Sequence, residues 1–148
     1  MKQLKNQRGL TLIELLAVIV ILAIIAAIAA VAIGNVIQNS KDKAILSDAV
    51  AMLEGAKIAH MDGSCGDDDI CKKEHLEPFV EDVVMDDKDQ VEIKTDKDDG
   101  TKTYEITYKK FEEIKNTNKY GVESPVEASE LLETLNGGKK TTTPPAGS

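Results

Sequence analysis

The chain has 148 residues, enough for one membrane-associated segment and one small domain. It carries 18 basic against 26 acidic residues, a net charge of −8, with no Trp, two Phe and three Tyr. From Lys41 onward 15 Lys face 25 Asp and Glu; so acidic a body, with few rings for stacking, tells against direct nucleic-acid binding.

Lys2, Lys5 and Arg8 precede an uncharged run over residues 15–33, and Glu14 is the only acid before Asp42. A helix over residues 10–33 would rise about 36 Å, enough to cross a hydrocarbon core of about 30 Å. Basic residues before the run and acids after it put the N-terminus in the cytoplasm. Gly34 does not end the pattern. Ile45, Ala49, Met52, Leu53 and Ala56 continue at helical spacing, while Lys41, Asp42, Lys43, Asp48 and Lys57 lie off that stripe. The spacing predicts one helix over residues 10–59, apolar in its first half and amphipathic in its second. Two plainer readings are a secretory signal peptide, cut near Ala27-Ile28-Ala29 or Ala30-Val31-Ala32, and a simple single-span anchor. Neither accounts for Glu14, a carboxylate that hydrocarbon disfavours, or for a helix that continues past the span.

The string RGLTLIELLAVIVILAIIAAIA resembles the N-terminus of type IV prepilins and pseudopilins, particularly those of Gram-positive bacteria. The resemblance covers about residues 5–60, with Gly9-Leu10-Thr11-Leu12-Ile13-Glu14 as its specific core. It implies that a membrane-embedded aspartyl peptidase cuts between Gly9 and Leu10 and that Leu10 is then N-methylated. Glycine suits a position where a protease must approach the backbone closely. It also gives Glu14 a partner. The new amine of Leu10 opposes the helix dipole, and a carboxylate one turn on relieves it. In the family the matching glutamate pairs with the amine of a neighbouring subunit as helices pack into a filament. Glu14 could instead pair with its own amine or sit near the lipid headgroups. Many members carry a proline where this chain has Val31, so no kink is expected there, and melting on assembly would rely on Gly34.

Beyond the helix, HMDGSCGDDDIC is a breaker cluster enclosing Cys65 and Cys71. On the oxidising side of the membrane a disulfide is the favoured reading. A zinc site of His60, Cys65, Cys71 and His75 is the rival, with C-x5-C wider than usual zinc spacing, and two free thiols are the third possibility. Asp67, Asp68 and Asp69 with Asp62 could hold calcium, against the plainer reading of a solvated loop. The run DKDDG from Asp96 resembles the start of an EF-hand, but its glycine comes one residue early and the twelfth position is Thr107, not Glu. It reads better as the turn of a hairpin between QVEIKT and TKTYEITY, with Val91, Ile93, Tyr104, Ile106 and Tyr108 to pack. Leu76, Phe79, Val80 and Val83 predict a short helix over EHLEPFVEDVV with Pro78 in its first turn. Ser124-Pro125-Val126-Glu127 reads as a capping box opening a C-terminal helix, with Ala128, Leu131, Leu132 and Leu135 as its apolar face and Gly137 as its end. The resemblance would not have suggested that helix.

The expected class is therefore α+β, a long N-terminal helix packed on a small antiparallel sheet. The expected divisions are a leader at 1–9, a transmembrane and filament-core half-helix at 10–33, and an amphipathic half at 34–60. A small acidic extracytoplasmic domain at 61–138 and a disordered tail at 139–148 complete them. No nucleophile–base pair, phosphate-binding loop or convincing metal cluster points to an enzyme or to a cofactor. The resemblance implies a structural subunit of a pilus or pseudopilus, resident in the cytoplasmic membrane and then at the cell surface. Its partners would be other pilin subunits, the prepilin peptidase, the assembly machinery and the membrane. Adhesion, motility, DNA uptake and secretion stay open, as does major against minor subunit. The alternative is an acidic binding protein, secreted or membrane-anchored.

Overall fold

A computed structural model of the chain describes residues 7–137, with side chains from Thr11 onward. It divides into two compact units, Met1–Gln38 and Asn39–Ser148. Helix α1, Gln7–Asp62, contributes to both.

In the first unit α1 is uninterrupted through Val31 and Gly34, as expected of a segment without proline. Its large apolar side chains from Leu12 to Ile37 are 50–69% exposed, an arrangement that water disfavours and lipid or a helical neighbour would relieve. The helix is long and apolar enough to cross a membrane.

The second unit is α+β. Residues 39–62 of α1 pack on a four-stranded antiparallel sheet made of β1 (Ile70–Lys72), β2 (Gln90–Thr95), β3 (Lys102–Thr107) and β4 (Val126–Glu127), in the order β1-β2-β3-β4. The helix buries Leu46, Ala49, Met52, Leu53, Ala56 and Ala59, a three-and-four spacing that keeps one face inward. Leu46, not Ile45, opens this stripe; Ile45 is half-buried. Gly63, with φ +76°, ends the helix. Its N–H donates to the His60 carbonyl and that of Ser64 to Ala59 at 2.8 Å, satisfying two carbonyls of the last turn.

The β2–β3 hairpin forms where its alternation predicts. Val91 faces Ile106 and Ile93 faces Tyr104 across the ladder, with Val91, Ile93 and Ile106 buried. Asp96 and Asp99 close the turn by accepting hydrogen bonds from the N–H groups of Asp98 (2.7 Å) and Thr101 (2.8 Å), and Gly100 takes φ +74°.

Two predicted helices are corrected. In place of a helix over EHLEPFVEDVV there is only α2, Lys73–Leu76, and Pro78 lies beyond it. Pro78 has no N–H to continue the ladder, and Asp82 adopts φ +61°, outside the helical region. The chain from there to β2 is irregular, with Val80 and Met85 buried. In place of a capping box, Val126 and Glu127 form β4, paired with Ile106 and Glu105, and α4 begins at Ala128 and ends at Leu135. A ladder partner for a buried valine outweighs the local cap signal. On α4 Leu131 is fully buried while Leu132 is 40% exposed, so the inward face is Ala128, Leu131 and Leu135 with Thr134. Gly137, φ +82°, follows its end as expected. A 3-10 turn, Lys109–Glu113, and helix α3, Thr117–Tyr120, supply Phe111, Ile114 and Tyr120 to the core. The predicted tail lies outside the described residues.

Candidate functional site

The residues singled out from the sequence fall into two groups, one in each unit. Gly9 and Leu10 lie in the opening turns of α1, which starts at Gln7. The first amides of a helix have no intrahelical acceptor, so its opening turn is the least tightly held. No acidic residue sits in this first turn to complement the helix dipole. Glu14 follows Leu10 by one turn and is exposed. Large apolar residues on either side of it, Leu12, Ile13, Leu15 and Leu16, are 58–68% exposed. A carboxylate in such a setting is stable in hydrocarbon only if a cation or donor meets it.

In the second unit Cys65 and Cys71 are joined in a disulfide, with their Cα atoms 4.6 Å apart. Cys71 is fully buried in β1 opposite Val91, and Cys65 packs on the same core. The Cys71 sulfur lies 3.7 Å from the Ala56 carbonyl of α1; a disulfide sulfur carries no proton, so this is packing rather than a hydrogen bond. The bridge fastens the loop leaving α1 to the edge of the sheet. It also removes the thiolates a zinc site would need. His60 is engaged elsewhere, with Nε2 2.9 Å from Lys102 Nζ and Nδ1 3.7 Å from Asp69, and His75 Nδ1 accepts from the Lys72 N–H.

The aspartates of the same loop serve its local structure: the Asp62 carboxylate accepts from the Ser64 hydroxyl at 2.7 Å. Asp68 accepts from the Ile70 N–H at 3.3 Å, and Asp69 adopts φ +57°, which lets the chain turn into β1. Among the described residues no three His, Cys, Asp or Glu side chains gather closely enough to hold a metal ion.

Two buried carboxylates escaped the sequence reading. Asp42 accepts from the N–H groups of Lys115 (3.2 Å) and Asn116 (2.8 Å). Asp89 accepts from those of Asp86 (2.6 Å) and Lys109 (2.8 Å). Both tie irregular chain to the core and leave no reactive group exposed. Near Asp89, the hydrogen bond from Lys109 holds the Asp86 carboxyl below its ordinary range and raises the lysine in turn. This is an exposed pair of 2.8 Å, with the geometry of a fastening.

Residues 4–30 match the model of a family described as the prokaryotic N-terminal methylation motif. The match includes Gly9, Leu10 and Glu14. It supports a type IV pilin-like precursor and a structural subunit, and is consistent with membrane insertion and a surface pilus. No curated protein and no solved structure matches the chain.

Proposed function

We propose that this chain is the precursor of a filament subunit, cut between Gly9 and Leu10, methylated on the Leu10 amine and polymerised through residues 10–33. The observation that carries this reading is the methylation motif over residues 4–30 on a helix whose apolar side chains are half or more exposed. Residues 1–9 act as the leader and stay in the cytoplasm. The scissile peptide lies in the opening turns of α1, where unwinding breaks few hydrogen bonds and glycine weakens the helix further. After cleavage the Leu10 amine, still cationic when methylated, is met by a carboxylate in the packed bundle, and Glu14 of a neighbouring subunit supplies it. Residues 34–60 form the amphipathic half of the helix, and residues 61–138 the acidic extracytoplasmic domain exposed on the filament. The disulfide fits that oxidising side. Subunits of this kind serve adhesion, motility, DNA uptake or secretion.

Gly9→Val tests the processing step. With a prepilin peptidase co-produced, the variant should keep its nine-residue leader and stay in the membrane. Mature protein of normal length from Gly9→Val would refute cleavage at this glycine.

A further inference from the structure

In this chain three glycines follow an asparagine or aspartate: Gly63 after Asp62, Gly100 after Asp99 and Gly137 after Asn136. A glycine amide has no side chain to shield it, so its nitrogen can reach the side-chain carbonyl carbon of the residue before it. The fold treats the three pairs unequally. The Asp62 carboxylate accepts from the Ser64 hydroxyl at 2.7 Å, and that of Asp99 from the Thr101 N–H at 2.8 Å. Hydrogen bonds from Thr101 hold the Asp99 carboxyl below its ordinary range, so it stays ionised, and a carboxylate resists a nucleophile. Asn136 instead offers a neutral amide. It is exposed, and among the described residues its side chain makes no hydrogen bond. Gly137 follows with φ +82° and open space where a Cβ would stand. The other described asparagines precede larger residues, and two of them, Asn39 and Asn116, are hydrogen-bonded to each other at 2.9 Å. Asn136 also sits where α4 ends. Its N–H donates to the Leu132 carbonyl at 3.1 Å, and that of Gly137 to Thr134 at 3.2 Å, closing the last turn.

We propose that Asn136 is a site of spontaneous deamidation, through which the second unit gains a negative charge at the end of α4 as the protein ages. The Gly137 amide nitrogen loses its proton and bonds to Asn136 Cγ; the Cγ–Nδ2 bond breaks, and that nitrogen leaves as ammonia. Water then opens the cyclic imide. Breaking the new bond to Cγ leaves aspartate, whereas breaking the original main-chain bond leaves isoaspartate, with the chain running through Cγ. Asn136 has ψ 0°, which turns the Gly137 nitrogen away from its Cβ, so ring closure requires ψ to swing. The swing releases the Gly137–Thr134 hydrogen bond, at a helix end, where opening is easiest. Folding therefore slows the reaction without forbidding it. The product bears on the helix. α4 has no basic residue in its last turn and already carries Glu130 and Glu133, so a new carboxylate at its end opposes the dipole. Isoaspartate also lengthens the main chain between the two amides that close the turn. Because Leu131 of α4 is fully buried, loosening of this helix reaches the core.

The test is ageing of the full chain in detergent at mildly alkaline pH, read by peptide mapping with mass spectrometry and an isoaspartate assay. Aspartate and isoaspartate should replace Asn136, while Asn35, Asn39, Asn116 and Asn118 persist and Asp62 and Asp99 gain no isoaspartate. The same chain unfolded in denaturant should react at Asn136 about fivefold faster, the factor that one net hydrogen bond supplies. Gly137→Ala places a methyl beside the attacking nitrogen and should slow the loss. That slowing should persist in denaturant, where no change of fold can cause it. Asn136→Asp should lower the thermal midpoint of the unit, and by less in high salt, which screens the helix dipole. Asn136 left intact after the unfolded chain has reacted overturns the proposal, as does earlier loss at another asparagine or earlier isoaspartate at Asp62 or Asp99. Equal rates folded and unfolded overturn the restraint assigned to the last turn of α4. An unchanged midpoint for Asn136→Asp overturns the effect assigned to the new charge.

Discussion

Tyr108 shows how much of the domain's stability can hang on a side chain that reads as ordinary. It follows β3, is fully buried, and meets the Phe111 ring edge-on at 5.5 Å. Its hydroxyl donates to Asp48 on α1 at 3.2 Å, joining sheet and helix. Burial pushes the phenol well above its usual range, and the Asp48 carboxylate adds to the shift. A group raised in the folded state contributes stability that is full below its unfolded pKa, about 10, and lost as pH climbs towards the folded value. Tyr108→Phe should therefore cost about 1 kcal/mol at neutral pH while flattening the loss of stability above about pH 10. Denaturant titrations of the full chain in detergent, followed by circular dichroism between pH 7 and 11, would show it; parallel pH profiles for the two proteins would contradict it. Asp42 illustrates the opposite case, a residue whose importance was illegible. Flanked by Lys41 and Lys43, it reads as one charge on a solvated face. Its acceptor role depends on an N–H 73 residues away, and no local pattern encodes that.

Elements formed by local pattern were legible, and those formed by pairing were not. The hairpin could be read because alternation, turn residues and Gly100 all act within 18 residues, from Gln90 to Thr107. The amphipathic half of α1 could be read from its spacing, though the pattern let Ile45 stand where Leu46 belongs. β1 has three residues and β4 two; each exists because a neighbouring strand receives it, which sequence spacing cannot express. The predicted helix around Pro78 failed because apolar spacing counted for more there than the missing N–H. No sequence pattern marks Gly55, yet a side chain there would run into the Val80 side chain, so glycine lets the irregular chain lie on α1. The disulfide needed only the oxidising setting and two nearby cysteines. Helix α4 offers a test of packing against pattern. Leu131→Ala should destabilise the unit by about 2–4 kcal/mol, and Leu132→Ala by no more than about 0.5 kcal/mol. Thermal unfolding of both variants would check the contrast, and similar losses would mean the buried face has been misassigned.

At the scale of the whole molecule, the large apolar side chains of α1 from Leu12 to Ile37 are half or more exposed among the described residues, whereas the second unit has a buried core of its own. Of the candidate site, the motif at Gly9, Leu10 and Glu14 was legible because it lies within six consecutive residues and needs no fold to bring it together. What the proposed polymerisation would ask of those residues depends on neighbouring copies, which no single chain displays. Glu14→Ala separates assembly from insertion. Removing a charge from the span should ease insertion slightly, and the distant unit should fold as before. In a packed bundle the neighbour's amine would lose its carboxylate, at a cost of roughly 3–5 kcal/mol for an unpaired buried charge. Correctly processed protein should then shift from shear-released filament to the membrane pool; wild-type filament yield would refute an obligatory pairing. The central claim is more direct still, because it names one bond and one atom. The N-terminal peptide of protein recovered from the cell surface should have, by mass spectrometry, the mass of a chain beginning at Leu10 and carrying one methyl group on its amine. A mature chain starting near Ala30 or Ile33, or one retaining Met1, would contradict it.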